Sequence, residues 1–452
     1  MSLSNIANQS LTSSEIREKR HLRVAEMTHR KNADSDYTEK MKELGKSFNY
    51  SSHSNDYWSE PELSTLYGTP IYETASPSQK LALNHLYWAA QYAQVATDEA
   101  AAVVYNQLTS GVFSTISGYG TLCQELDLES HQERDHLRTF QTIAYKTKLA
   151  LLGETALMKN PLYGKKLDKP RFTFSLPSSQ VLTFQDSILR FVSNIMLKNK
   201  ADYCYSPYLK DRDKEGKSIP APAGGIFVPS GSQALQKFLI LHWGSSPFMA
   251  CQYYSGRFVA NMLLKSYEYG YVKHFKKLEE KGQSIPAPTA VSYYHFLDES
   301  FHTTTSQLIA RDVRKDFSKP TAYEKFVANL QLYGLQRDVL SGISAGVPSV
   351  FRDDASFLLM YYRLLRSPVF DMSVQEALHW MQRCLCEEHE GFHANVKSHQ
   401  RLLSSLRNFF DGFDYLWPMN REMRLMASGD VNNKAIQRNA RAFNQFSRTV
   451  AV

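Results

Sequence analysis

The chain has 452 residues, 43% of them apolar and 12% aromatic, with a formal charge of +7, enough to bury a large core in one enlarged domain or two closely packed ones. It holds no apolar run long enough to span a bilayer, and its polar N-terminus lacks the apolar stretch of a signal peptide. The five scattered cysteines form no C-x-x-C pair and read as free thiols in a reducing cytoplasm, not as a disulfide framework.

Residues 1–60 read as a polar N-terminal arm, and 61–452 as a single enlarged helical domain. Much of the excess positive charge lies in "REKRHLRVAEMTHRK", Arg17 to Lys31. It lacks the interleaved aromatics of a nucleic-acid face, so a solvated arm is expected, with docking of an acidic carrier protein as the alternative. From Pro77 the pattern turns helical, opened by a capping Ser76 and a proline in the first turn. Ligand-bearing helices are predicted at about 77–113, 121–154, 248–280 and 289–314. A Pro-, Lys- and aromatic-rich insertion at about 158–230 carries one helix at "TFQDSILRFVSNIMLKN". A helical extension occupies about 321–452. Period-2 alternation is scarce, so the fold class is mainly α.

The segment "SYYHFLDESFH" places His295, Glu299 and His302 on one face of a helix, beside residues that read as interior. Buried imidazole and carboxylate heads need a charged receiver, and a divalent metal supplies one. A dimetal-carboxylate bundle takes one glutamate from each of two helices and a Glu-x-x-His pair from each of two others. Glu299 and His302 make one such pair, and Glu133 and His136 the other. Glu99 shares its face with Tyr92, Val95, Ala96, Ala102 and Val103. Glu268 shares its own with Phe258, Asn261, Leu264, Tyr271 and Phe275. The order is then Glu99, Glu133/His136, Glu268, Glu299/His302, one contribution per long helix. Taken singly, each is as readily a surface carboxylate or a core histidine; together, in this order, they specify a metal site. Glu125 and Glu129 lie on the stripe of Glu133, as competing ligands or outer partners. Asp298 is placed to reach a ligating histidine on a facing helix, His136 being the candidate, and so to fix its tautomer. Its alternative role is that of an ordinary aspartate near a helix start.

His295 exceeds the six-ligand set. The pattern Glu99, Glu133-x-x-His136, Glu268, His295-x-x-x-Glu299-x-x-His302 resembles the AurF-type arylamine N-oxygenases, in which a histidine one turn before the last glutamate is a seventh ligand. The resemblance covers roughly residues 80–140 and 255–310 and implies a ferritin-like four-helix bundle around two metals, Fe/Fe or Mn/Fe, that activate O2 with an external electron donor. The interval of 132 residues from His136 to Glu268, and the long tail, depart from the N-oxygenases. In length and layout the chain is more similar to the CylC-type aliphatic halogenases, which implies chloride as co-substrate and a fatty-acyl chain on an acyl carrier protein. No protein ligand is missing to make way for chloride, unlike the mononuclear iron halogenases, so hydroxylation and N-oxygenation remain open alternatives on the same ligands. Ala89, Ala93, Ala96 and Ala100 either leave room for a linear chain or only permit close helix packing, and Tyr92, Tyr267 and Tyr271 are pocket candidates.

A competing motif stands at "HEGFHANVKSH". His389, His393 and His399 would bind zinc in a metzincin-like peptidase, with Glu390 as general base. However, Val396 occupies the place of the glycine that lets the third histidine turn back, and Gly391 interrupts the helix. Cys384 and Cys386 lie nearby, but a C-x-C pair closes a tetrahedral site poorly. A polar helix face is the expectation there.

Overall fold

Four long helices carry the centre of the protein, and two of them begin with a capping serine followed by proline. The computed structural model describes residues 19–154, 178–197, 204–220, 233–340, 342–349, 351, 354–427 and 430–450, with only the backbone over 178–184. The remainder of the insertion expected at 158–230 lies outside the described residues. Helices α1 (Arg20–Ala33) and α2 (Tyr37–Ser47) precede α3 (Pro77–Phe113) and α4 (Gly120–Leu152). At the start of α3, Ser76 Oγ accepts from the Gln79 N–H while the Gln79 side chain accepts from the Ser76 N–H. Pro77 then sits where its missing N–H costs nothing. Helices α5 (Ser178–Leu197) and α6 (Gln233–Trp243) pack on each other and lead to α7 (Pro247–Glu280). Ser246 caps α7 by accepting from the Met249 N–H. Beyond its end, Gly282 takes the left-handed backbone (φ 61°) that suits a residue without a Cβ, and α8 (Ala287–Arg311) returns alongside α7.

The α3–α4 and α7–α8 hairpins face each other, α3 against α7 and α4 against α8. Two apolar clusters flank the polar centre between them, one including Trp58, Trp88, Tyr92 and Phe140 and the other Phe113, Trp243, Tyr253 and Tyr254. No strand occurs among the described residues; the fold is mainly α. No described helix is long and apolar enough to cross a membrane.

The basic arm expected to be solvated is a helix with a buried stripe. Leu22, Ala25, Thr28 and Asn32 recur every three or four residues and are buried, and both α1 and α2 pack on α4 and α8. Half of that stripe is polar, which is why hydropathy alone reads it as solvent-facing. In the C-terminal extension, α9 (Ala322–Leu335) and α12 (Glu390–Phe410) lean on α7, while α10 (Leu358–Leu365) and α13 (Val431–Val450) flank α11 (Val374–Cys386). A π-helical turn at Gln336–Leu340 follows α9. It leads into a loop whose Gly346 and Ala345 N–H groups, with Ser344 Oγ and Tyr361 Oη, all donate to the buried Asp354.

Candidate metal centre

The structure brings all seven predicted residues to the middle of the four long helices, each at most 5% exposed. Glu99 comes from α3, Glu133 and His136 from α4, Glu268 from α7, and His295, Glu299 and His302 from α8. Within each helix the spacing of three or four residues does the local work by stacking the side chains on one face.

Two groups of donor atoms result. One atom from each of Glu99, His136, His295 and Glu299 lies within 4.8 Å of the others, as does one from each of Glu133, Glu299 and His302. Glu299 belongs to both. Glu268 stands outside them and joins through His295, whose Nδ1 is 2.5 Å from Glu268 Oε1 and whose Nε2 is 3.0 Å from Glu99 Oε1.

The outer nitrogens of the other two histidines are held by acceptors. His136 Nε2–H donates to Asp298 Oδ2 at 2.8 Å, and His302 Nε2–H donates to Gln132 Oε1 at 3.1 Å. Both Nδ1 atoms therefore face the carboxylates: that of His136 is 3.8 Å from Glu99 and Glu133, and that of His302 is 2.6 Å from Glu299. Asp298 also accepts from Thr38 Oγ1 at 2.6 Å and from Gln132 Nε2 at 3.1 Å. Through Thr38 and Asn32, which exchanges hydrogen bonds with Gln132, the N-terminal helices brace the site.

Beside Gln132, Thr38 and Asn32, the residue of most consequence that sequence reasoning missed is Arg257. Buried on α7, it donates from Nη1 to Glu129 Oε2 at 2.7 Å and from Nη2 to Glu133 Oε1 at 2.8 Å. Its signal was available, since Arg257 lies about three helical turns before Glu268 and on the same stripe. Glu129 serves this arginine and Asn106, and Glu125 takes Asn32 and His29, so neither enters the two donor groups.

The electrostatics are those of charges crowded in a dry centre. Burial pushes the Glu99 carboxyl up to about 8, with Glu133 adding repulsion and the His295 hydrogen bond opposing it. Burial alone would depress the histidines. In His136 it is outweighed by the hydrogen bond to Asp298 and by the nearby Glu133 carboxylate, which carry the ring up to about 9. In His302 the charges of Glu299 and Glu129 carry it up to about 10. Burial works to raise Glu299, but the facing His302 and His295 hold it well below the usual carboxylate range.

Four inward atoms, Glu99 Oε2, Glu133 Oε2, His136 Nδ1 and Glu268 Oε2, are buried and make no hydrogen bond among the described residues. Orphaned carboxylate oxygens and an orphaned ring nitrogen in one buried centre are the donor set of a divalent cation with carboxylate and imidazole preference. The residues fit such a group.

Beside this centre lies a cavity of about 130 Å³, roughly ten times what one water needs. Glu99, Glu133 and Glu299 form part of its wall, and Val95, Ala101, Ala102, Ala260, Leu263 and Leu264 make it largely apolar. It follows α3 from Gln91 to Tyr105, about 20 Å of helix. The alanines that line it are Ala101, Ala102 and Ala260, not the predicted Ala89, Ala93, Ala96 and Ala100, because the face of α3 turned to α7 carries Gln91, Gln94, Asp98 and Ala101. Of the three predicted tyrosines, Tyr267 lines it; Tyr271 is buried in the core, and Tyr92 donates to Glu268 Oε1 at 2.8 Å.

The zinc-peptidase alternative fails on geometry. His389 is extended (φ −158°) and caps α12, which begins only at Glu390. Its Nδ1 accepts from the Gly391 N–H and its Nε2–H donates to the Cys384 carbonyl, so both ring nitrogens are engaged. His393 is exposed beside Glu388, and His399 is buried against Phe351. The three imidazoles form no cluster among the described residues.

No curated protein and no solved structure matches this chain. The model of the family described as acyl halogenase CylC-like matches residues 20–447, nearly the whole length and all four helices that carry the candidate ligands. The chain belongs to the CylC-like acyl halogenase family.

Proposed function

We propose that this protein is an O2-dependent dimetal-carboxylate halogenase that replaces hydrogen by chlorine at an unactivated carbon of an acyl chain carried on an acyl carrier protein. The observation that carries the reading is the pair of donor groups sharing Glu299, set in the wall of an apolar cavity in a member of an acyl halogenase family. The core is then of the ferritin-like kind, with Glu99, Glu133, His136, Glu268, His295, Glu299 and His302 holding two ions, Fe/Fe or Mn/Fe. Bound there, the metals supply O2 activation and hydrogen abstraction and present chloride to the carbon.

The chain's own residues do the rest. Asp298 and Gln132 hold the His136 and His302 rings with Nδ1 inward, and Arg257 fixes one oxygen of Glu133 so that the other stays free. The apolar cavity walls exclude water and align a linear chain past Glu99 and Glu299. Protons on His136 and His302 leave when cations arrive, so loading is coupled to proton release. Hydrogen for chlorine exchange with O2 and chloride consumes two electrons and three protons per two waters formed, so an external electron donor is required.

The test is incubation of the reduced, metal-loaded protein with medium-chain acyl carrier protein, O2 and chloride. A product with the chlorine isotope pattern supports the reading. Products gaining only oxygen, or an arylamine oxidised while the acyl chain is untouched, overturn it in favour of a hydroxylase or N-oxygenase.

A further inference from the structure

The candidate metal centre is buried, yet a row of oxidisable rings connects it to the surface. Tyr92 donates to Glu268 Oε1 at 2.8 Å and stacks on Trp88 with centroids 4.3 Å apart. Trp88 meets Trp58 edge-on at 6.2 Å, and Trp58 meets Tyr50 at 6.1 Å. Trp58, Trp88 and Tyr92 are fully buried, while Tyr50 is partly exposed. At the outer end, Tyr50 Oη lies 3.1 Å from His85 Nδ1, and the His85 ring stacks on Trp58 at 4.1 Å. His85 Nε2–H donates to the Asp56 carbonyl at 2.8 Å, which leaves Nδ1 with a lone pair for the Tyr50 hydroxyl.

We infer that Tyr92, Trp88, Trp58 and Tyr50 form a redox ladder that drains oxidising equivalents from the metal centre when no acyl chain is there to consume them, with the Tyr50–His85 pair as its terminus. The inference rests on the dimetal reading above. In the terminal step one electron passes inward from Tyr50 to the O2-oxidised centre, which is reduced by one electron. The Tyr50 O–H bond breaks and its proton forms an N–H bond at His85 Nδ1, leaving a neutral tyrosyl radical and an imidazolium. A one-electron reductant of the ascorbate or thiol class then restores Tyr50 as His85 returns the proton.

Packing alone does not account for the two ends. Aromatic cores fill space with rings of any kind, whereas this row starts on a carboxylate of the candidate centre and stops at a phenol with a neutral base in place. Burial pushes His85 down to about 4, keeping the ring neutral, and pushes Tyr50 up to about 12, so the phenol keeps its proton until it is oxidised.

The test uses the holoprotein, its iron or manganese content and O2 consumption measured on each sample, grown with ring-deuterated or ordinary tyrosine. Reduced protein is mixed with O2 without acyl substrate, freeze-quenched and examined by electron paramagnetic resonance. The expected result is a tyrosyl radical that narrows on deuteration, and loss of that signal in Tyr50→Phe and in Trp58→Phe. Tyr50→Phe removes only a hydroxyl and guards against misfolding of the tryptophan variant. A radical of undiminished yield in both variants, or no protein radical in a holoprotein that keeps its metal and consumes O2, overturns the ladder alone. A chain that takes up neither metal overturns the dimetal reading and the ladder with it.

Discussion

Arg257 on α7 donates through Nη2 to Glu133 on α4 at 2.8 Å, and its other terminal nitrogen reaches Glu129. One buried guanidinium thus answers two buried carboxylates, one of them a candidate ligand. Removing one partner of such a group strands the charges left behind, at about 3–5 kcal/mol. Arg257→Ala is therefore expected to lower the unfolding free energy of the metal-free protein by about that amount, with Arg257→Lys losing less because it keeps the charge without the fork. Urea unfolding of the apoprotein measures this, and a change within experimental error would mean that the bonds from Arg257 to Glu129 and Glu133 do not stabilise the fold.

Asp298 belongs to neither donor group and would act on bound metals through His136 and, by way of Gln132, through His302. Outer partners of this kind change affinity roughly 10–100-fold when removed. Asp298→Asn is expected to weaken metal retention against a chelator in that range, and Thr38→Val, which removes one of the bonds to Asp298, by less. Equal retention in wild type and Asp298→Asn would show that the His136 ring is fixed by something else.

The centre was legible in the sequence because its information is local. Glu133 with His136, and His295 with Glu299 and His302, announce themselves by helical spacing alone, and Glu99 and Glu268 by their apolar neighbours. Thr38 and Asn32 were not legible as partners of the site, and Arg257 only by its place on the stripe of Glu268, since their roles depend on which helices face each other. The buried stripe of α1 carries no apolar signature because Thr28 and Asn32 fill half of it. The histidine motif at 389–399, which the sequence already weighs against as a zinc site, shows the converse. A spacing implies a shared face only inside a continuous helix, and α12 begins one residue after His389.

That difference is measurable as metal stoichiometry. Wild type is expected to bind about two iron or manganese ions per chain. Glu133→Ala loses them, whereas His389→Ala keeps them. Elemental analysis of the three proteins decides, and a single zinc lost only with His389 would reverse the assignment.

His399 gives the protein an acid-sensitive element away from the centre. Burial, opposed by a bond to the Leu340 backbone, depresses its ring from 6.5 to about 4. The unfolded chain then binds more protons than the folded one between those values, so stability is full above pH 6.5 and falls as pH drops toward 4. At pH 5 the loss relative to neutral pH is about 2 kcal/mol. In His399→Asn that loss should vanish from the difference between the two pH values. Urea unfolding of both proteins at pH 7.5 and pH 5 checks it, and parallel losses in the two would place the acid sensitivity elsewhere.

The cavity offers a test that separates substrate from metal. Ala260 lines it from α7 and, unlike Glu99, Glu133 and Glu299, contributes no donor atom. A bulky ring at this position shortens the space open to a linear chain but leaves the donor groups in place. Ala260→Phe is therefore expected to keep its metal content and lose about 1.4 kcal/mol of transition-state stabilisation with a long acyl substrate, roughly tenfold in kcat/KM. A shorter chain that ends before Ala260 should suffer less. If long and short substrates lose activity alike while the metals stay bound, the chain does not run along this face of α7, and the space between α3 and α7 serves another purpose.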